Sequence, residues 1–189
     1  VAFRSHDDYI TASNPDDSGH VRDADTTPVA GLSFAASERV RLHASFGTGF
    51  ETPTFNELAY RADGGPGLAL DLQPAHSRNL ELGAKWRGAY GARIEAALFR
   101  ADTYDELAVA SNVGGRSTYR NVGRARRQGG ELGGWLPLGS DWSVQLAATW
   151  LDARYRDGFL TCTATPCAAA NQQVAADNRI PGIAKTSLY

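Results

Sequence analysis

Arg39-Val40-Arg41-Leu42-His43-Ala44-Ser45-Phe46 alternates polar and apolar side chains without a break. Successive residues of an extended strand point to opposite faces, so Val40, Leu42, Ala44 and Phe46 share one face. Arg39, Arg41, His43 and Ser45 share the other. Wound as a helix, the same apolar residues would scatter around the axis and leave no stripe to bury. The pattern returns in Asn79-Leu80-Glu81-Leu82-Gly83-Ala84-Lys85-Trp86, in Arg93-Ile94-Glu95-Ala96-Ala97-Leu98 and in Ser143-Val144-Gln145-Leu146-Ala147-Ala148-Thr149-Trp150.

Runs of this kind predict about eight strands, near 1–9, 26–36, 39–50, 77–87, 91–104, 118–136, 141–156 and 179–189. Two kinds of connection separate them. Ala36-Ser37-Glu38, Arg87-Gly88-Ala89-Tyr90 and Pro137-Leu138-Gly139-Ser140 are tight, whereas 10–25, 51–76, 105–117 and 157–178 are long, polar and rich in Gly, Asp, Asn and Pro. Short turns at one end and long loops at the other mark an outer-membrane up-and-down barrel, while Greek-key sandwiches mix loop lengths at both ends. The expected fold is all-β: an antiparallel transmembrane β-barrel segment with short periplasmic turns and long extracellular loops. Trp86 and Trp135 beside the tight turns, and Trp150 and Tyr155 toward the long loops, are expected to form aromatic girdles. Arg39, Arg41, Glu81, Lys85, Arg93 and Glu95 are then expected in the lumen, because each Arg or Lys facing lipid at mid-bilayer costs about 2–4 kcal/mol.

The 189 residues are 42% apolar, 21% charged and 10% aromatic, which excludes a disordered chain. No apolar run approaches the roughly 18 residues of a membrane helix. A formal charge of −2 gives no reason to expect a nucleic-acid partner. Gly47-Thr48-Gly49-Phe50-Glu51-Thr52 only half matches a dinucleotide fingerprint, and the chain lacks G-x-S-x-G, H-E-x-x-H and phosphate-loop motifs. No enzyme activity, catalytic residue, resident cofactor or metal site is therefore expected. Cys162 and Cys167 lack nearby Cys or His partners for zinc, so a local disulfide is preferred over two free thiols. The segment 118–136 is the most basic; a solvated strand end is the preferred reading, with an anionic ligand near a barrel mouth as the alternative.

Four ordered segments carry a family resemblance: Phe46-Gly47-Thr48-Gly49-Phe50-Glu51-Thr52-Pro53-Thr54-Phe55-Asn56-Glu57-Leu58; Leu72-Gln73-Pro74-Ala75-His76-Ser77-Arg78-Asn79-Leu80-Glu81-Leu82-Gly83-Ala84-Lys85; Tyr119-Arg120-Asn121-Val122-Gly123 with Gly130-Glu131; and Asn178-Arg179-Ile180-Pro181-Gly182-Ile183. Together they resemble the TonB-dependent outer-membrane receptors. Ala75 stands where that family usually has glutamate, and the spacing around Gly129 is irregular. The motif residues Phe50, Pro53, Asn56, Glu57, Leu58, Pro74, Glu81 and Gly83 are read as structural, shaping the passage from strand into surface loop.

The resemblance implies a 22-stranded barrel of the bacterial outer membrane, of which residues 1–189 are a partial barrel domain with the plug outside the chain. It implies uptake of an iron chelate, a ferric siderophore, energised by the TonB–ExbB–ExbD complex through a plug and TonB box that this chain does not show. Outer-membrane lipid is the further expected partner. Arg116, Arg120, Arg124 and His76 are the expected contacts for such a ligand, with the loops 51–76, 105–117 and 157–178 helping to capture it. Three alternatives stay open on the sequence. One is a receptor for haem or cobalamin. Another is a complete small eight-stranded barrel with a structural or adhesion role. The third is a soluble β-sandwich binding module.

Overall fold

The computed structural model describes residues 1–11, 16–162, 164 and 166–189. Its elements run β1 (Ala2–Ser5), β2 (Gly19–Arg22), β3 (Val29–Ala35), β4 (Val40–Glu51), α1 (Phe55–Leu58), β5 (Ala75–Arg87), β6 (Arg93–Val113), β7 (Arg116–Leu138), β8 (Trp142–Tyr155), β9 (Phe159–Thr161), β10 (Gln172–Val174) and β11 (Thr186–Leu188). Seven strands form one sheet in the order β11-β8-β7-β6-β5-β4-β3, and every neighbouring pair is antiparallel. This is an up-and-down meander.

Both ends of the sheet are open, because β3 and β11 do not pair. The described residues therefore do not make a complete eight-stranded barrel, whose closure needs first and last strands joined. Among the described residues no second sheet stacks on the apolar face either. Leu80, Leu82, Val144 and Leu146 are 47%, 52%, 46% and 43% exposed, so a sandwich core is excluded.

Register turns the alternation into two continuous faces. On one lie the rows Ala44–Leu82–Leu98–Gly130–Trp150 and Leu42–Ala84–Ala96–Leu132–Ala148, with Val40–Trp86–Ile94–Gly134–Leu146 below them. The opposite face carries Arg41, Lys85 and Glu95 in one row and His43, Gly83, Ala97 and Glu131 in the next. Along β7 the apolar band spans Gly130 to Leu138, close to the 9–11 residues a tilted strand needs to cross the hydrocarbon.

The structure corrects several expected boundaries. Residues 1–9 are not a barrel strand: β1 pairs with β2 in a separate sheet, and Phe3 and Val21 pack on a small core of Leu58, Ala69 and Leu72. The expected loop 105–117 is a continuation of β6 and β7, which are 21 and 23 residues long and meet at a turn through Gly114 and Gly115. Both glycines have positive φ, 59° and 78°, the conformation a two-residue hairpin turn requires. Polar composition suggested a loop there, but backbone pairing is indifferent to side-chain polarity once such a turn sets the register. Within 157–178, β9 and β10 pair with each other. Only Thr186–Leu188 of the expected last strand joins the main sheet, with Arg179 making a single bridge to Arg154.

Two of the four expected girdle residues lie on the polar face. Trp135 pairs with Arg93 and Gln145, and Tyr155 with Ala125. Each is one residue out of phase with the apolar set. Trp142 occupies the tight-turn edge of the apolar face instead, paired with Leu138 and 78% exposed.

Candidate functional site

The polar face is the first candidate surface. Lys85 Nζ lies 3.1 Å from Glu95 Oε2, and His43 Nε2 lies 3.0 Å from Glu81 Oε1. Arg93 sits over the Trp135 ring at 5.4 Å. Exposed pairs of this kind are worth about 0–1 kcal/mol each, so their role is to hold a mixed-charge wall rather than to stabilise the sheet. Gly83 keeps the wall flat where the His43 ring crosses it, and Glu81 meets that ring from the same strand.

Beyond the apolar band, the chain between β4 and β5 folds into a cluster at the long-loop end. Phe50, one pair before the ladder ends at Glu51–Ala75, has its ring 5.4 Å from His76, and His76 Nε2 is 3.4 Å from Asp25 Oδ2. Pro53 follows. The Thr54 backbone N–H and hydroxyl then both donate to Glu57 Oε2, at 2.7 and 2.8 Å, which turns the chain into α1. Asn56 is exposed, whereas Leu58 is buried against Ala69 and Leu72, and the Ala69 N–H donates to the Leu58 carbonyl at 2.8 Å. Burying one such leucine contributes about 1.5–3 kcal/mol, enough to fix a loop though not a domain. Pro74, half-buried, leads into β5.

Asn121 locks this loop to the long hairpin. Its Oδ1 accepts from the Gln73 N–H at 2.9 Å, and its Nδ2 donates to the Gln73 and Asp105 carbonyls, both at 2.8 Å. Asp105 has a left-handed backbone, φ 57°. The motif around Tyr119–Gly123 thus places an amide that satisfies three main-chain groups. Leu107 and Tyr119 complete the packing around Leu58.

The expected ligand residues have different surroundings. Arg116 stacks over Tyr60 at 5.0 Å. Arg124 is bidentate to Asp157, with Nε–Oδ2 3.1 Å and Nη2–Oδ1 2.9 Å, and its backbone N–H donates to the same carboxylate at 2.8 Å. That hydrogen-bonded pairing with Arg124 holds the Asp157 carboxyl below its ordinary value of 3.8. Arg124 and His76 lie in the row of Tyr104, which continues the apolar face. Arg120 differs from all of these: its Nε and Nη2 are shielded from solvent and have no hydrogen-bond partner among the described residues. Asp157 carried no sequence signal, because its partner is 33 residues away.

Cys162 and Cys167 are joined by a disulfide. Asn112 and Cys167 exchange backbone hydrogen bonds of 2.8 and 2.6 Å, so Cys167 docks on the end of the β6–β7 hairpin. Among the described residues, no group of three or more His, Cys, Asp and Glu is placed to hold a metal ion.

An open antiparallel meander with an exposed apolar band, a charged opposite face and folded loops at one end is the wall of an outer-membrane β-barrel. The family described as TonB dependent receptor-like, beta-barrel, matches residues 2–189, and the chain belongs to that family, whose members reside in the bacterial outer membrane. It is 32% identical over 133 residues to the vitamin B12 transporter BtuB of Vibrio vulnificus (strain YJ016), covering 69% of this chain and 21% of that protein. It is 24% identical over 160 residues to a probable TonB-dependent siderophore receptor, PiuA, of Acinetobacter baumannii, covering 82% of this chain and 20% of that protein. Among solved structures it resembles the copper transporter OprC with a TM-score of 0.67 at 19% identity, over 81% of this chain and 24% of that one. The chain thus spans about a fifth of the length of the curated relatives it matches.

Proposed function

We propose that this chain is part of the barrel wall of a receptor that imports a ferric siderophore across the outer membrane. Transport is powered by TonB–ExbB–ExbD acting on a plug and TonB box outside the residues described. The observation that carries the choice of cargo is Arg120, a guanidinium with Nε and Nη2 shielded and unpartnered among the described residues. An unpaired buried donor is costly, and an anionic oxygen-rich chelate is the chemistry that would satisfy it. Its strand β7 also carries Arg116, which stacks over Tyr60 of the segment between β4 and β5. The protein acts by binding and release, with no bond made or broken in the cargo.

The test uses the full-length receptor in outer membranes, with a ferric tris-catecholate as probe. Binding and TonB-dependent uptake are expected, and Arg120→Gln should weaken binding by about tenfold or more, the usual loss for a hydrogen bond to a charged group. Binding unchanged in that variant would remove Arg120 from the site. A second reading, cobalamin as cargo, is favoured by the 32% identity to BtuB. Cobalamin binding in the absence of any ferric-chelate binding would replace the first reading with the second.

A further inference from the structure

The face that carries the apolar band does not become featureless above it. One row runs Thr48–Arg78–Asp102–Arg126–Arg154–Arg179, read through four successive strand pairings and a final single bridge. Four of its six side chains are arginines and one is an aspartate. Arg126, Arg154 and Arg179 are direct cross-strand neighbours, an arrangement of like charges that is unfavourable without a counter-ion. The next row toward the membrane, Phe46–Leu80–Arg100–Gln128–Asp152, adds one charge of each sign.

The carboxylates present are recessed and act as braces. Asp102 accepts from Arg126 Nε at 2.5 Å and from Arg100 Nε at 2.8 Å. Asp152 is paired with Arg154 Nε at 2.8 Å. Asp102 and Asp152 are 20% and 17% exposed, against 47% for Arg100, 40% for Arg154 and 26% for Arg126. Each brace uses the Nε side of its arginine, and Arg154 Nη1 also donates to the Asp177 carbonyl at 2.9 Å. Arg78 rests over Tyr104 at 5.4 Å, and no carboxylate pairs with Arg78 or Arg179 among the described residues. With strands about 4.8 Å apart, the arginine row extends about 19 Å across the barrel wall.

Directly below, on the same face, lies a shallow apolar groove bounded by Leu82, Leu98, Leu132 and Trp150 around Gly130 and Ala148. On β7 only Gln128 separates, on this face, the groove residue Gly130 from Arg126. Such a groove would hold an acyl chain, which a free anion does not have.

We propose that this face is a docking surface for a phosphate-bearing lipid of the outer leaflet, with its phosphates on the Arg78–Arg179 row and an acyl chain in the groove. The occupant is argued from charge complementarity, from the height of the row just above a band of hydrocarbon-spanning length, and from the continuity of row and groove. The surface lies on the side of the sheet opposite the Lys85–Glu95 wall and is independent of which cargo the receptor carries.

The experiment is lipid retention by the full-length receptor in detergent, read by native mass spectrometry. The probes are a bis-phosphorylated glycolipid, the same lipid enzymatically dephosphorylated, and inorganic phosphate alone. Retention of the phosphorylated lipid is expected, falling by about tenfold in Arg126→Gln/Arg154→Gln and with rising salt. Arg179→Gln should weaken retention without affecting folding, because no carboxylate pairs with that side chain, and resistance to unfolding in detergent on electrophoresis checks each variant. Equal retention of the phosphorylated and dephosphorylated lipids would overturn the proposal. So would inorganic phosphate competing as well as the lipid, which would mark a free-anion site, or variants that fold and retain lipid like the parent.

Discussion

Gly83 lies directly beneath the His43 imidazole: a Cβ built on it would stand 2.2 Å from the ring carbon Cε1 and 2.9 Å from the Ala96 carbonyl oxygen. His43 and Gly83 are cross-strand partners, and the vacant position lets the ring reach Glu81. A backbone carbonyl cannot swing away as a side-chain tip can. Gly83→Ala should therefore destabilise the folded barrel by about 1–3 kcal/mol, as overpacking does. Gly133, with nothing within 4 Å of its would-be Cβ, is the control, and Gly133→Ala should stay within about 0.5 kcal/mol of the parent. Urea unfolding of the full-length protein in micelles measures both.

Asn121 holds the loop between α1 and β5 to the β6–β7 hairpin through three hydrogen bonds. Asn121→Ala leaves those main-chain groups without their partner, at about 1–3 kcal/mol. The loss should fall on the loop rather than the barrel, so limited proteolysis within 59–73 should accelerate while resistance to detergent unfolding persists. Asn121→Asp keeps an acceptor for the Gln73 N–H but loses both donated bonds, and should lie between.

Asp157 is tied to Arg124 by a side-chain pair and by the Arg124 backbone N–H, and its carboxyl sits below its ordinary value of 3.8. A depressed carboxyl stabilises the attachment above the unfolded value, and the effect fades as pH falls through the lower folded value. Protection of the Arg124 amide against hydrogen exchange, corrected for intrinsic rate, should hold from about pH 7 to about pH 5 and decline below about pH 4. Asp157→Asn should show low protection throughout.

The Cys162–Cys167 disulfide closes a ring with a sequence separation of 5. So short a ring restricts the unfolded chain by about 2 kcal/mol on the chain-entropy account, and that restriction is local. Cys162→Ser/Cys167→Ser should leave barrel unfolding unchanged while cleavage within 157–178 accelerates. The Asn112–Cys167 backbone bridge should slow that cleavage relative to a variant lacking the hairpin end.

Alternation alone determined which side chains share a face. Leu80 with Leu82 and Val144 with Leu146 were separable from Glu81 and Gln145 before any coordinate, because the strand period is two and sequence order enforces it. Turn chemistry placed the tight connections, and the Phe50–Leu58 and Tyr119–Gly123 motifs were visible as spacings. What only the tertiary structure decided was everything that depends on register and distant approach. Trp135 and Tyr155 lie on the polar face rather than in the expected girdle, a matter of one residue of phase at a strand end. The loop expected at 105–117 became the top of a long hairpin, since ladder hydrogen bonds do not consult side-chain polarity. Arg124 found Asp157, Asn121 found Gln73, and arginines of three strands fell into one row with the bridged Arg179. Those meetings are set by how neighbouring strands slide past one another, a quantity shared between segments and written in neither alone.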